Sequence, residues 1–173
     1  MRKIQLLWII PIALLVGGCS GWGEDMLVEP FWDTSYQPLL VKRSELEQSV
    51  SFSTPREINN PGKIYFREGY LFLNEKYEGV HVIDNRNPEN PVQLGFLKIP
   101  GSIDMAANGN YLYVDNAVDL VTIDLSDRAN PQLVSRRKNV FPELPPPDLN
   151  FVPDRFMAYN RPENTIIIGW EKR

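Results

Sequence analysis

Between Pro61 and about Asn139 the chain writes one motif twice. A Pro-Gly pair at 61–62 is followed by Gly69-Tyr70-Leu71-Phe72-Leu73, Gly79-Val80-His81-Val82-Ile83-Asp84 and Asn90-Pro91-Val92-Gln93-Leu94. A Pro-Gly pair at 100–101 is followed by Asn110-Tyr111-Leu112-Tyr113-Val114, Asp119-Leu120-Val121-Thr122-Ile123-Asp124 and Asn130-Pro131-Gln132-Leu133-Val134. Asp84 to Asp124 and Asn90 to Asn130 are both 40 positions apart, whereas Pro61 to Pro100 is 39 and Tyr70 to Tyr111 is 41. The length changes therefore fall between apolar runs, where a structural repeat tolerates them. A period near 40 with four short β-type segments per unit predicts β-propeller blades, one over 61–99 and one over 100–139.

In the first unit the strands are expected at Lys63 to Phe66, Tyr70 to Asn74, Gly79 to Asp84 and Val92 to Ile99. In the second they are expected at Ser102 to Ala106, Tyr111 to Asp115, Leu120 to Leu125 and Gln132 to Arg136. The third strand of each unit is almost wholly apolar, which marks a strand covered on both faces. Asp84, Asn90, Asp124 and Asn130 frame the turns that follow, where short polar side chains bond nearby backbone N–H groups and proline fixes φ. Calcium is the competing reading of such turns, but they lack the alternating oxygens, central glycine and closing glutamate of an EF-type loop. Fifteen prolines and eleven glycines suit a chain of short strands and many turns.

The strings Val80-His81-Val82-Ile83-Asp84 through Asn90-Pro91 and Leu120-Val121-Thr122-Ile123-Asp124 through Asn130-Pro131 resemble the LVIVP repeat, a propeller-blade motif of bacterial and archaeal extracytoplasmic proteins. The resemblance implies an all-β, propeller-like fold of two four-stranded antiparallel repeats, often on a secreted or lipid-anchored chain. It implies no conserved activity. His81 and Thr122 depart from the branched apolar residues the repeat prefers, and neither breaks the strand pattern.

Ahead of the repeats, Arg2-Lys3 and the apolar run Ile4 to Val16 read as an export signal over 1–18, too short for a comfortable membrane span. It ends at Val16-Gly17-Gly18-Cys19, which resembles the lipobox of bacterial lipoprotein signal peptides. That resemblance implies that Cys19 is acylated and becomes the mature N-terminus, and that Ser20 directs outer-membrane sorting. A plain signal peptide or an uncleaved anchor with an incidental cysteine is the alternative, against which stands the position of the chain's one cysteine. Residues 19–43 are expected to be a tether, with Trp22, Phe31, Trp32 and Tyr36 packed on the domain, at the lipid surface or against a partner. Residues 44–60 read as a short helix and lead-in. Ser44-Glu45-Leu46-Glu47 has capping-box form, and Leu46 and Val50 would share a helix face.

After the repeats, Phe141 to Asp148 reads as a proline-rich linker, and Phe156–Tyr159 with Thr165–Trp170 as a hairpin beginning a third blade, so that 140–173 gives a linker and a partial blade. Propellers close with about four to eight blades, so an incomplete ring is expected, completed by oligomerisation or by further blades downstream.

Charge and chemistry narrow the function classes. The net charge of −4 becomes −6 once Arg2 and Lys3 are lost (16 basic against 22 acidic residues), which disfavours nucleic acid, whose phosphates need a basic footprint. His81 is the single histidine and is expected to be packed or rim-facing; no metal spacing, phosphate loop or nucleophile-base pair is present, so no cofactor, metal or catalytic residue is assigned. The expectation is a lipid-anchored, non-catalytic binding or scaffold module of the bacterial envelope, held to the membrane through Cys19 and presenting loops to a protein or glycan ligand. The alternative is a propeller hydrolase or lyase, or its inactive remnant, acting on envelope polysaccharide.

Overall fold

The computed structural model describes residues 33–173, and the stretch 1–18 expected to be an export signal, with Cys19, Trp22, Phe31 and Trp32, lies outside the described residues. The chain runs β1 (Tyr36–Lys42), α1 (Arg43–Glu47), β2 (Ser51–Ser53), β3 (Pro61–Arg67), β4 (Tyr70–Glu75), β5 (Gly79–Asp84) and β6 (Val92–Lys98). It continues with β7 (Met105–Asn108), β8 (Tyr111–Asn116), β9 (Asp119–Asp124), β10 (Gln132–Arg137), two 3-10 turns at Asp154–Phe156 and Ala158–Asn160, and β11 (Thr165–Lys172).

The two repeats fold as antiparallel meanders with the same strand order, β6-β5-β4-β3 and β10-β9-β8-β7, and β2 adds a fifth strand to the outside of the first. Local chemistry sets the turns. Glu68 and Gly69 both adopt positive φ (49° and 80°), the requirement of a two-residue hairpin turn that matches strand twist. Asp84 accepts the N–H of Arg86 at 3.0 Å and Asp124 that of Ser126 at 2.8 Å, so both repeats leave their third strand through the same Asx turn. The next polar caps are Asn87, accepting from Glu89 N–H, and Asp127, accepting from Ala129 N–H. Asn90 and Asn130 take part through their backbone N–H groups, which donate to the carbonyls of Asn87 and Asp127.

How the sheets pack follows from register. In the first blade, Phe72 pairs with Val82 and Asn74 with Val80; in the second, Tyr113 pairs with Thr122 and Asp115 with Leu120. Each blade thus has a first face (Tyr70, Phe72, Val80, Val82 or Tyr111, Tyr113, Leu120, Thr122) and a second face (Leu71, Leu73, His81, Ile83 or Leu112, Val114, Val121, Ile123). The main core joins Phe72, Val80, Val82 and Leu97 of the first blade to Met105, Leu112, Val114, Val121 and Ile123 of the second. The first face of one blade therefore packs on the second face of the next, the head-to-tail order by which propeller blades stack.

A smaller core of Leu46, Ala117, Leu144, Val152, Ile167 and Trp170 lies under the turn ends of both sheets, with Tyr77 and Ala117 supplied by the β4–β5 and β8–β9 turns. Its roof is the antiparallel ribbon of β1 and β11.

Five expectations are corrected by the structure. Residues 36–42, placed in the 19–43 tether, form β1, because they find an antiparallel partner in β11, with a register shift between Leu39 and Leu40 that turns Tyr36, Pro38 and Val41 to the half-buried side. The 156–170 hairpin is absent: residues 154–160 turn in 3-10 form, and β11 pairs with β1 instead of opening a third blade. The helix is capped at Lys42 rather than at Ser44. Lys42 is extended at the end of β1, and its N–H donates to Glu45 Oε2 at 3.4 Å, while Leu46 and Val50 enter different cores. Residues 141–148 do not hang as a spacer, since Leu144 and Pro146 are buried and Trp170 Nε1 donates to Leu144 O at 3.0 Å. Strand β7 also starts at Met105, three residues after the expected Ser102, for a reason given below.

Candidate functional site

The first face of the second blade is only half closed. Residues 141–145 pass over one end of it and leave a cleft of about 410 Å³ lined by Ile103, Met105, Ala106, Tyr113, Leu120 and Phe141, among others. That volume lies in the range of small-ligand sites, and the walls are mainly apolar, as such sites are. Three carboxylates interrupt them: Asp104, Asp115 and Glu143.

Each carboxylate is held. Asp115 is buried, and its Oδ1 accepts the N–H groups of Ile103 and Asp104, both at 2.9 Å, with Oδ2 3.1 Å from Ile103 N. Those bonds keep residues 102–104 out of the ladder, which delays β7 to Met105. Burial pushes the Asp115 carboxyl up to about 6 with help from the neighbouring Asp104 charge, against the pull of its backbone donors. Asp104 accepts from Met105 N–H and from Lys63 Nζ, each at 2.6 Å, and lies below the ordinary carboxylate range, the lysine bond outweighing burial. Glu143 pairs with Arg161, whose Nη1 donates to its Oε2 at 3.0 Å.

The first blade contains a counterpart to Asp115. Glu75, fully buried at the end of β4, accepts Asn59 N–H at 3.1 Å, Asn60 N–H, and His81 Nε2 at 3.1 Å. Burial acts to raise its pKa, but the Asn60, His81 and Asn59 bonds win and hold it below the ordinary range. In each blade, then, a carboxylate ending the second strand caps the backbone that enters the first. His81 is packed as expected, tilted against Phe96 with ring centroids 4.8 Å apart, and its partner is this structural carboxylate. Asp119 is the third buried acid: Arg43 grips it through two bonds of 2.9 Å, Arg136 donates at 2.8 Å and Asn139 N–H at 3.0 Å.

Sequence reasoning missed Glu75, Asp115 and Asp119. A signal existed in the polar pairs Asn74-Glu75 and Asp115-Asn116, which follow apolar runs at the same repeat position. Of the residues assigned to turns, Asp84 and Asp124 do so by side chain, and neither lines the cleft. Among the described residues no cluster of three or more His, Cys, Asp or Glu is arranged to hold a metal, and no helix is long and apolar enough to cross a membrane.

Comparison with known families agrees with this geometry. The model of the LVIVD repeat matches residues 102–138. The resemblance of the second string to such a repeat thereby holds, with the motif's closing letter read as Asp and supplied here by Asp124. No curated protein and no solved structure matches the chain. Residues 102–138 are thus an LVIVD repeat folded as a four-stranded, propeller-like blade, and residues 61–98 build a second sheet in the same strand order.

Proposed function

We propose that the chain is a lipid-anchored, extracytoplasmic propeller-type binding module of the bacterial outer membrane, and that the cleft over Tyr113 and Leu120 seats an apolar group of a protein client. The observation that carries this reading is the cleft itself, with mainly apolar walls beneath the 141–145 segment. A non-catalytic role fits its carboxylates, since Asp104 and Asp115 hold backbone N–H groups and Glu143 holds Arg161. The anchor rests on the Gly17-Gly18-Cys19 sequence, and several acyl chains hold stably where one would bind marginally.

The test is a photo-crosslinking amino acid at Phe141 in cells. A discrete adduct that disappears when Ala106→Trp fills the cleft supports the reading. Adducts indifferent to that substitution, or a chain that crosslinks only to glycan, would overturn it in favour of the polysaccharide alternative.

A further inference from the structure

Each blade interface in a stack is made by two faces, and the two blades described here use one of each. Equivalent positions, 41 apart on the first two strands, show what the remaining two lack. Met105, on the second face of the second blade, is 3% exposed, and its first-blade equivalent Ile64 is 63% exposed. Ala107 packs against the main core, whereas its equivalent Phe66 is 60% exposed. On the other faces, Tyr70 of the first blade packs against the core with Arg128 4.5 Å from its ring centroid, while its equivalent Tyr111 is 43% exposed.

Both exposed patches lie at the same end of their blades, near the β3–β4 and β7–β8 turns. The opposite end of the first blade's second face is crossed by the lead-in, through Arg56 stacked 4.6 Å from Phe96 and Asn59 and Asn60 bound to Glu75. The opposite end of the second blade's first face is crossed by residues 141–145. The uncovered quarters therefore correspond to each other, as the two halves of the interface already built inside the chain. Size agrees as well. Inside the chain the large Tyr65 meets the small Ala107, its hydroxyl donating to Ala107 O at 3.3 Å. The repeat equivalents of that pair are Ala106 on the open first face and Phe66 on the open second face, so large again meets small, with the sides exchanged.

We propose that a second copy of this chain docks head to tail, its Ile64–Phe66 ridge against Tyr111 and Ala106. The docking repeats the internal blade contact, so the interface is heterologous and leaves complementary faces at the two ends of an open pair. It goes beyond the client cleft, with which it shares Ala106 at the edge, and otherwise concerns the Tyr111 end of the same face.

The test uses the full chain purified in detergent, with light scattering corrected for bound detergent. Wild type should contain more than one copy and dissociate on dilution. Phe66→Asp and Tyr111→Asp, both at exposed positions, should each give one copy with unchanged melting. An equimolar mixture of the two variants should regain a two-copy species, because each retains the face the other has lost; Ile64→Ser and Thr122→Asp serve as a second such pair. A wild type that stays single at high concentration, variants that remain assembled, or a mixture that fails to associate would each overturn the proposal. If the Phe141 crosslink to a client persists in the single-copy variants, the cleft reading stands independently.

Discussion

Asp119→Ala should be among the most damaging single changes outside the main core. Asp119 is fully buried and receives Arg43, Arg136 and the N–H of Asn139, so one carboxylate ties α1, β10 and the chain leaving β10 to the β8–β9 turn. Removing one partner of a buried ion pair costs ~3–5 kcal/mol, because the other charge stays desolvated. Arg43 and Arg136 keep 20% and 11% of their side-chain surface, so water relieves part of that penalty and the lower end, about 3 kcal/mol, applies. With a urea dependence of about 2 kcal/mol per molar, the midpoint should fall by about 1.5 M. Burial works to raise the Asp119 pKa, but Asn139, Arg136 and Arg43 hold it below the ordinary range. A depressed folded pKa contributes stability above the unfolded value, lost as pH falls through the folded one, so wild type and Asp119→Asn should converge in acid. A midpoint shift under about 0.5 M, or a gap that widens in acid, would refute the reasoning.

The other changes follow the same physics. Asp115 has the opposite sign: its pKa rises from 3.8 to about 6, so its stability contribution is complete below pH 4 and is lost as pH climbs through 6. Asp115→Asn, which keeps an acceptor for Ile103 and Asp104, should therefore exceed wild type by up to about 3 kcal/mol at pH 8 and match it at pH 3.5 by urea unfolding. Glu75→Gln should cost about 2 kcal/mol at neutral pH, since one buried acceptor of Asn59, Asn60 or His81 becomes a donor; an unchanged melt would show that these bonds do not matter. Intact-mass spectrometry of membrane-extracted protein should find the chain starting at an acylated Cys19, and a mature chain retaining Met1 without lipid would contradict the anchor.

The blade pattern was legible because it is local and repeated. Strands β4, β5, β8 and β9 fall within a residue of where the Tyr70, Gly79, Tyr111 and Leu120 runs place them, and the Asx turns sit at Asp84 and Asp124. The cap was not legible, because β1 and β11 meet across more than 120 positions and neither Tyr36–Lys42 nor Thr165–Lys172 carries a turn signal naming its partner. The proline run at 145–147 misled for a related reason: composition reports the backbone conformation, whereas the burial of Leu144 and Pro146 depends on Trp170 and the second blade. The cleft was invisible for the same cause, being made by a segment from one part of the chain lying over the face of another.

The most direct measurement of the head-to-tail blade order compares Phe72→Ala with Tyr113→Ala, the same repeat position in the two blades. Phe72 is 1% exposed between the sheets, and Tyr113 lies on the half-open end face. At a dilution where light scattering shows single copies, urea unfolding should give a loss of about 3–5 kcal/mol for Phe72→Ala and about 1 kcal/mol for Tyr113→Ala. Equal losses at the two positions would contradict the stacking order on which the account rests.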